Sequence, residues 1–506
     1  MKRKRFALIP HVTLGRARLM CFSPRLTAFV LTCTLLAPAP GRGDEIDASM
    51  KAGTKLLEEG DRLADEGKPG EAVIRYKSAF EQLLPRLRKI PFKHEVKRDV
   101  TKREQLKAML VKEFEEDQTP EEFHANEMAM KALGLVPRSL DLKSLLVQVY
   151  SEEIAAFYDP KTKTMHLIEE LEAKTKAKPT LLERLFGKTG GFDKDENKTV
   201  IAHELTHALA DQHYDLDKLQ KDAKHDDDRA LALSALIEGE ATLAMMGAGM
   251  DDWDGSKIVK MPAGDLDRGL SMISPFISMI GGGKTLRSAP PIVSESMVFP
   301  YFRGMVFCAA LVNDGGWKSV DEAYKSPPVS TEQIIHPEKY RSKLDLPTCI
   351  DLGALKPGAP WKELGRNVLG ELQTSIMLGR AGPKAAAGWD GDRYAVFEGP
   401  AEKLGLVWLS TWDGEDDARE FAQAYTRYQT RRMGKDACQP ERIPDSLWRC
   451  SDNVCQVVER RGRDVAVIEG FAPAVTESLL ESAFKASKAE FRPTPRKEPE
   501  VKTTGK

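Results

Sequence analysis

The sequence carries no surplus of either charge: 75 lysines and arginines stand against 77 aspartates and glutamates, for a net charge of −2. That balance excludes the broad basic field that nucleic acid requires, so no nucleic-acid partner is expected. Beyond residue 43 no run reads as apolar enough to cross a bilayer. Histidine is scarce, with nine in 506 residues, so pairs at metal-binding spacing seldom arise by accident. Repeats are lacking too. Residues 48 to 90 read as a single tetratricopeptide-like helical hairpin, marked by Gly60, Ala64, Ala72, Tyr76, Ala79 and Pro85. One such unit cannot build a solenoid, because each repeat buries its apolar face on the next. The hairpin is therefore expected to pack on the adjoining domain.

Seven cysteines are too few for a disulfide-dense scaffold. Cys21 and Cys33 fall in the N-terminal stretch, and Cys308 sits in an apolar helical run, as a buried thiol would. Cys349, Cys438, Cys450 and Cys455 remain, and four cysteines allow three pairings. Cys450 and Cys455 flank a Ser-Asp-Asn turn, which suits a local bridge.

The first 43 residues differ from the rest. Seven basic residues between Lys2 and Arg25 precede an apolar run, Leu26 to Leu36, and small residues follow up to Gly43. This is the pattern of a secretory signal, and the run is about half the length a spanning helix needs. The expected location is outside the cytoplasm: periplasm, cell envelope or extracellular space. Membrane contact is expected only through an uncleaved signal or a lipid anchor, and Thr32 before Cys33 fits a lipoprotein poorly.

The expected fold class is α+β. Residues 1–43 form the signal, 44–90 the helical hairpin, 91–345 the main domain, 346–490 a small C-terminal α+β domain, and 491–506 a disordered tail. Within the main domain, 96–149 reads as helical. The segment Ala155 to Ile168 reads as a β-hairpin around Asp159-Pro160. Helices are expected at 197–213, 228–247 and from Tyr301 to Asn313.

The informative residues lie in Thr199-Val200-Ile201-Ala202-His203-Glu204-Leu205-Thr206-His207-Ala208, which no Gly or Pro interrupts. His203 and His207 are four apart, so they stack on one helix face, where two imidazoles can chelate a single zinc ion. Glu204 then lies beside the activated water as general base. A catalytic site needs a third protein ligand. Glu238 is the preferred candidate: it sits on a helix that is apolar almost all round, and a carboxylate buried there needs ligation or pairing. His213 is the rival, because its distance from His207 matches the metzincin pattern. That pattern turns at a Gly, however, and this chain has Ala210. Glu240 is either a partner bracing a ligand or a charge on the helix surface.

These residues resemble the gluzincin metallopeptidases, which carry H-E-x-x-H on one helix and a Glu on a following one. Glu238-Gly239-Glu240-Ala241 is similar to the E-G-x-A stretch of aminopeptidase N-type enzymes, and Pro300-Tyr301-Phe302-Arg303-Gly304 to their P-Y-x-K-G helix. The resemblance implies a zincin-like domain, one zinc ion, and Tyr301 as the transition-state donor. The G-x-M-E-N segment that grips a free amino terminus is missing, so internal cleavage of a peptide or protein substrate is expected. Residues 90 to 345 also look like a group of exported bacterial proteins carrying F-Y-D-P, H-E-x-T-H, E-G-x-A-T and S-T-E-Q-I-x-H-P-E-K-Y in this order. In the last motif, Ser330 to Tyr340 here, His336 is an alternative oxyanion donor. The strand from Met165 to Ile168 could receive an extended peptide as an added strand. The competing reading is a non-catalytic cell-envelope interaction protein with a metal-stabilised fold.

Overall fold

A computed structural model describes residues 19–22, 48–168, 194–270, 284–433, 441–443 and 446–492. The rest of the expected export signal, Cys438 and nearly all of the expected tail lie outside the described residues. The fold is α+β: a mainly helical part carries a small sheet, and a seven-stranded sheet comes after it in the chain.

The hairpin consists of α1 (Ala48–Asp65) and α2 (Pro69–Arg88). Pro69 opens α2, where a missing backbone N–H costs nothing. Ala72, Tyr76, Ala79, Leu83 and Leu87 are fully buried at helical spacing, or nearly so. The hairpin packs on the main domain as expected, with α2 running against α6 (Lys194–Tyr214). Tyr76 donates to Asp61 at 2.8 Å, and Lys198 of α6 pairs with the same Asp61 at 3.0 Å.

The small sheet has the order β1-β3-β4-β2, with β1 Leu19–Phe22, β2 Lys97–Thr101, β3 Ile154–Asp159 and β4 Thr164–Ile168. The Asp-Pro hairpin is present as β3 and β4. Strand β1 falls inside the stretch read as an export signal and pairs antiparallel with β3. The peptide-pairing role expected for Met165 to Ile168 is corrected. Strand β4 has β3 on one side and β2, parallel to it, on the other, so it has no free edge. Lys97-Arg98-Asp99-Val100-Thr101 conceals that second neighbour because its charges suit an edge strand and read as helix or loop. The sheet is fastened to α6 at Asp211, which accepts from Tyr158 at 2.9 Å and from Lys163 at 2.7 Å.

Three helices come after β2: α3 (Arg103–Asp117), α4 (Pro120–Ala132) and α5 (Leu142–Glu153). Thr119 caps α4 in a reciprocal box with Glu122. The central pair is α7 (Asp227–Gly249) and α8 (Pro291–Gly315). By length and composition both could cross a bilayer, contrary to the sequence reading, but they are core helices, 94% and 83% buried. Helix α8 starts ten residues before Tyr301 and runs through Pro300. Burial of Ile292, Val293 and Met297 on the core outweighs the one backbone bond the proline removes.

After α9 (Trp317–Lys325) and α10 (Thr331–Ile335) comes β5 (Thr348–Asp351) and then the C-terminal domain. Its antiparallel sheet has the order β6-β7-β8-β12-β11-β10-β9. The strands are β6 Lys362–Asn367, β7 Trp389–Glu398, β8 Leu404–Trp412, β9 Glu441–Ile443, β10 Ser446–Ser451, β11 Val454–Arg461 and β12 Asp464–Phe471. Alternate residues serve two cores. Tyr394, Val396, Leu406, Trp408, Val465 and Val467 join the core of the helical part. Ala395, Phe397, Val407, Leu409, Ala466 and Ile468 pack with Leu479 and Leu480 of α13 (Pro473–Phe484). The first face is covered by α11 (Gly370–Leu378) and α12 (Glu415–Met433). Strand β13 (Ser487–Glu490) pairs with β5, and Cys450 and Cys455 form the expected disulfide.

This domain grips the start of α7. Asn367 and Asp227 exchange two hydrogen bonds, at 2.9 and 3.1 Å, and Asp228 accepts from the Thr331 amide and hydroxyl. Thr331 in turn accepts from the Leu372 amide at 3.1 Å. Behind that joint, buried Asp392 receives four donors: the Leu369 and Gly370 amides and the indoles of Trp389 and Trp408. Asp392→Ala would strand all four in a dry core, at about 1–3 kcal/mol for each unsatisfied group. A urea midpoint far below that of Asp392→Asn, which keeps an acceptor oxygen, is the expected result.

Candidate metal centre

Helix α6 forms around an uninterrupted apolar stretch, and every residue from Val200 to Ala210 is buried. All sides of this stretch are covered, the face bearing His203 and His207 included. His203, Glu204 and His207 are 0%, 0% and 1% exposed. Helix α7 presents Glu238, 2% exposed, from the other side. Glu238 Oε2 lies 3.1 Å from His203 Nε2 and 3.3 Å from His207 Nε2, and the two imidazole nitrogens are 3.0 Å apart. Burial alone would push the Glu238 carboxyl up, but the adjoining imidazoles of His207 and His203 hold it down at about 2. Burial pushes His203 below its ordinary imidazole value, against the pull of Glu238. A neutral imidazole keeps a lone pair to offer.

Three donors bonded tetrahedrally to zinc at ~2.0–2.1 Å stand about 3.3 Å from one another. The observed edges of 3.0–3.3 Å therefore fit one ion shared by His203, His207 and Glu238. A second group of carboxylates, Glu332, Asp345 and Asp413, does not invite that reading. The Lys339 ammonium already lies among them, at 2.6, 2.9 and 2.9 Å.

Tyr301, 5% exposed, sets its ring beside His203, with centroids 5.9 Å apart and planes inclined by 21°. What brings α8 so near is a pair of glycines. A Cβ built on Gly304 would lie 2.0 Å from the Ala235 carbonyl oxygen, and one on Gly239 would lie 2.1 Å from the Gly304 carbonyl carbon. Only two residues without side chains let the helix backbones touch there. One glycine follows Glu238 directly and the other follows Tyr301 by three, so both motifs carry their own spacing device.

The remaining candidates lie elsewhere. His213 Nε2 faces the Pro91 carbonyl at 2.7 Å, because α6 continues past Ala210 and carries that ring away from the donors. His336 Nε2 lies 3.0 Å from Glu371 Oε1, whose hydrogen bond raises the imidazole pKa, and it does not join the three donors. Glu240 is neither a brace touching a ligand nor a surface charge. It is 1% exposed and accepts from Arg88 Nε at 2.5 Å and from the Tyr324 hydroxyl. Arg88 was missed in the sequence: its partner is 152 residues away, and nothing in the local pattern around an arginine at a helix end announces burial.

Gly304→Ala should force α7 and α8 apart and lower stability by roughly 1–3 kcal/mol. Gly264→Ala, where an added Cβ meets nothing within 4 Å, should leave the urea midpoint unchanged or slightly raised.

A family described as a domain of unknown function, DUF8575, matches residues 360–480, which lie within the C-terminal domain and leave the three donors outside. No curated protein and no solved structure matches the chain.

Proposed function

We propose that this chain is an exported zinc-dependent metallopeptidase of the gluzincin type that cleaves internal peptide bonds. The observation that carries the reading is the convergence of two imidazole nitrogens and one carboxylate oxygen, 3.0–3.3 Å apart, on buried helices beside Glu204 and Tyr301. His203, His207 and Glu238 would hold the ion, which when bound supplies Lewis acidity toward water and the scissile carbonyl. Glu204 is the general base: it removes the proton of the attacking water and passes it to the departing amine. Tyr301 donates a hydrogen bond to the oxygen on which charge develops. Residues 1–43 act as the export signal, and the substrate is a peptide or an unfolded protein.

Two experiments test this function on the purified full chain. Glu204→Gln should bind zinc as the parent does while losing cleavage of casein by about 10²–10⁴-fold, the usual contribution of a general base; undiminished cleavage would remove Glu204 from that role. Glu238→Ala should lose zinc affinity while His213→Ala keeps it, as read by chelator competition. The opposite order would restore the metzincin alternative.

A further inference from the structure

A second set of polar contacts, part of it carried by the helices that hold the donors, closes on itself. Arg88, the last residue of α2 and 0% exposed, gives Nε to Glu240 at 2.5 Å and Nη2 to Asp321 at 2.9 Å. Its guanidinium lies over the Trp317 ring, 4.4 Å from the centroid. The second Glu240 oxygen accepts from Tyr324, and Asp321 also accepts from Tyr214 at 2.7 Å. The rings of Tyr324 and Tyr214 stack at 4.4 Å, 4° from parallel. Arg88, Glu240, Tyr324, Tyr214 and Asp321 thus form a continuous ring of contacts.

Two members of that ring belong to the helices that carry the donors. Tyr214 ends α6, two turns after His207, and Glu240 follows Glu238 by two residues on α7. Donors on separate helices converge only if the helices keep their separation and rotation, and working sites are held to about 0.5 Å by the shell around them. Arg88 is the only cation in the ring and touches both of its carboxylates, so without it neither carboxylate has a positive partner within the ring.

We infer that Arg88 is a positioning residue for the metal centre: it bridges Glu240 of α7 to Asp321 of α9, and Tyr214 at the end of α6 bonds the same Asp321, so α7 and α6 are held to one anchor and the N-terminal hairpin becomes part of the catalytic unit. This rests on the reading of His203, His207 and Glu238 as zinc ligands. Methionine at position 88 would fill much of the volume but leave the buried Glu240 and the half-buried Asp321 without their shared cation. Lysine would keep the charge, but a single ammonium cannot reproduce the planar fork that reaches both partners.

The test measures zinc affinity by chelator competition on the full chain, with zinc alone as probe, under conditions where each variant is folded. Leu83→Ala, which opens a cavity inside the same hairpin, controls for plain loss of stability. Arg88→Met should bind zinc about tenfold more weakly or worse, Arg88→Lys should fall between it and the parent, and Leu83→Ala should bind as the parent does. Parental affinity in Arg88→Met would overturn the inference, as would an equal loss in Leu83→Ala. A folded parent that binds no zinc would instead overturn the metal reading itself.

Discussion

The arrangement at the centre depends on how closely two helix backbones can approach. At Gly239 and Gly304 a single methyl group on either side would collide with the opposing main chain. That contact lets Tyr301 lie beside His203 while Glu238, on the neighbouring residue, reaches both imidazoles. Dispersion falls off so steeply with distance that helices held apart by alanines would forfeit much of the packing along their length. The apolar character of α7 and α8 has the same origin, because helices in mutual contact and wrapped on all sides have no polar face to spare.

Burial gives the donors their character. A carboxylate at 2% exposure is tolerable only beside groups that stabilise its charge, and here those groups are two imidazoles. The same rule holds at three other buried acids, each solved differently. Glu240 takes a guanidinium and a phenol, Asp392 takes four neutral N–H donors, and Glu332 takes an ammonium. Geometry separates these acids from Glu238. Only beside Glu238 can the neighbours, once deprotonated at Nε2, turn lone pairs of their own to the same point, where a bound cation would take over the stabilising of the carboxylate.

How much could be read in advance depended on the range of the interaction. His203 and His207 are one helical turn apart, so spacing alone places them together. Glu238 could be found because a carboxylate in the apolar stretch of a helix is conspicuous. The α+β class and the Asp-Pro hairpin came from local periodicity. Elements decided by distant partners were not legible. Strand β2 exists because β4 offers it an edge, and α8 passes through Pro300 because the core holds its first turns. His213 fits the metzincin count, but Ala210 in place of the glycine already speaks for a continuing helix, and α6 does continue and turns that ring toward Pro91. Glu240 and Arg88 could not be paired from sequence at any level of care, since neither residue's neighbourhood refers to the other.

The grip of the C-terminal domain on the first residues of α7 bears on how such a chain could be processed. Asn367 of that domain ties down Asp227, and Thr331 of α10, itself bonded by the Leu372 amide, ties down Asp228, at the start of the helix that, three turns on, presents Glu238. A protease cutting in the Pro- and Gly-rich connection at 345–360 would sever the covalent link to Asn367 while leaving Thr331 attached. The joint between Asn367 and Asp227 would then rest on noncovalent packing alone, so a nick there should loosen the first turn of the helix that carries Glu238.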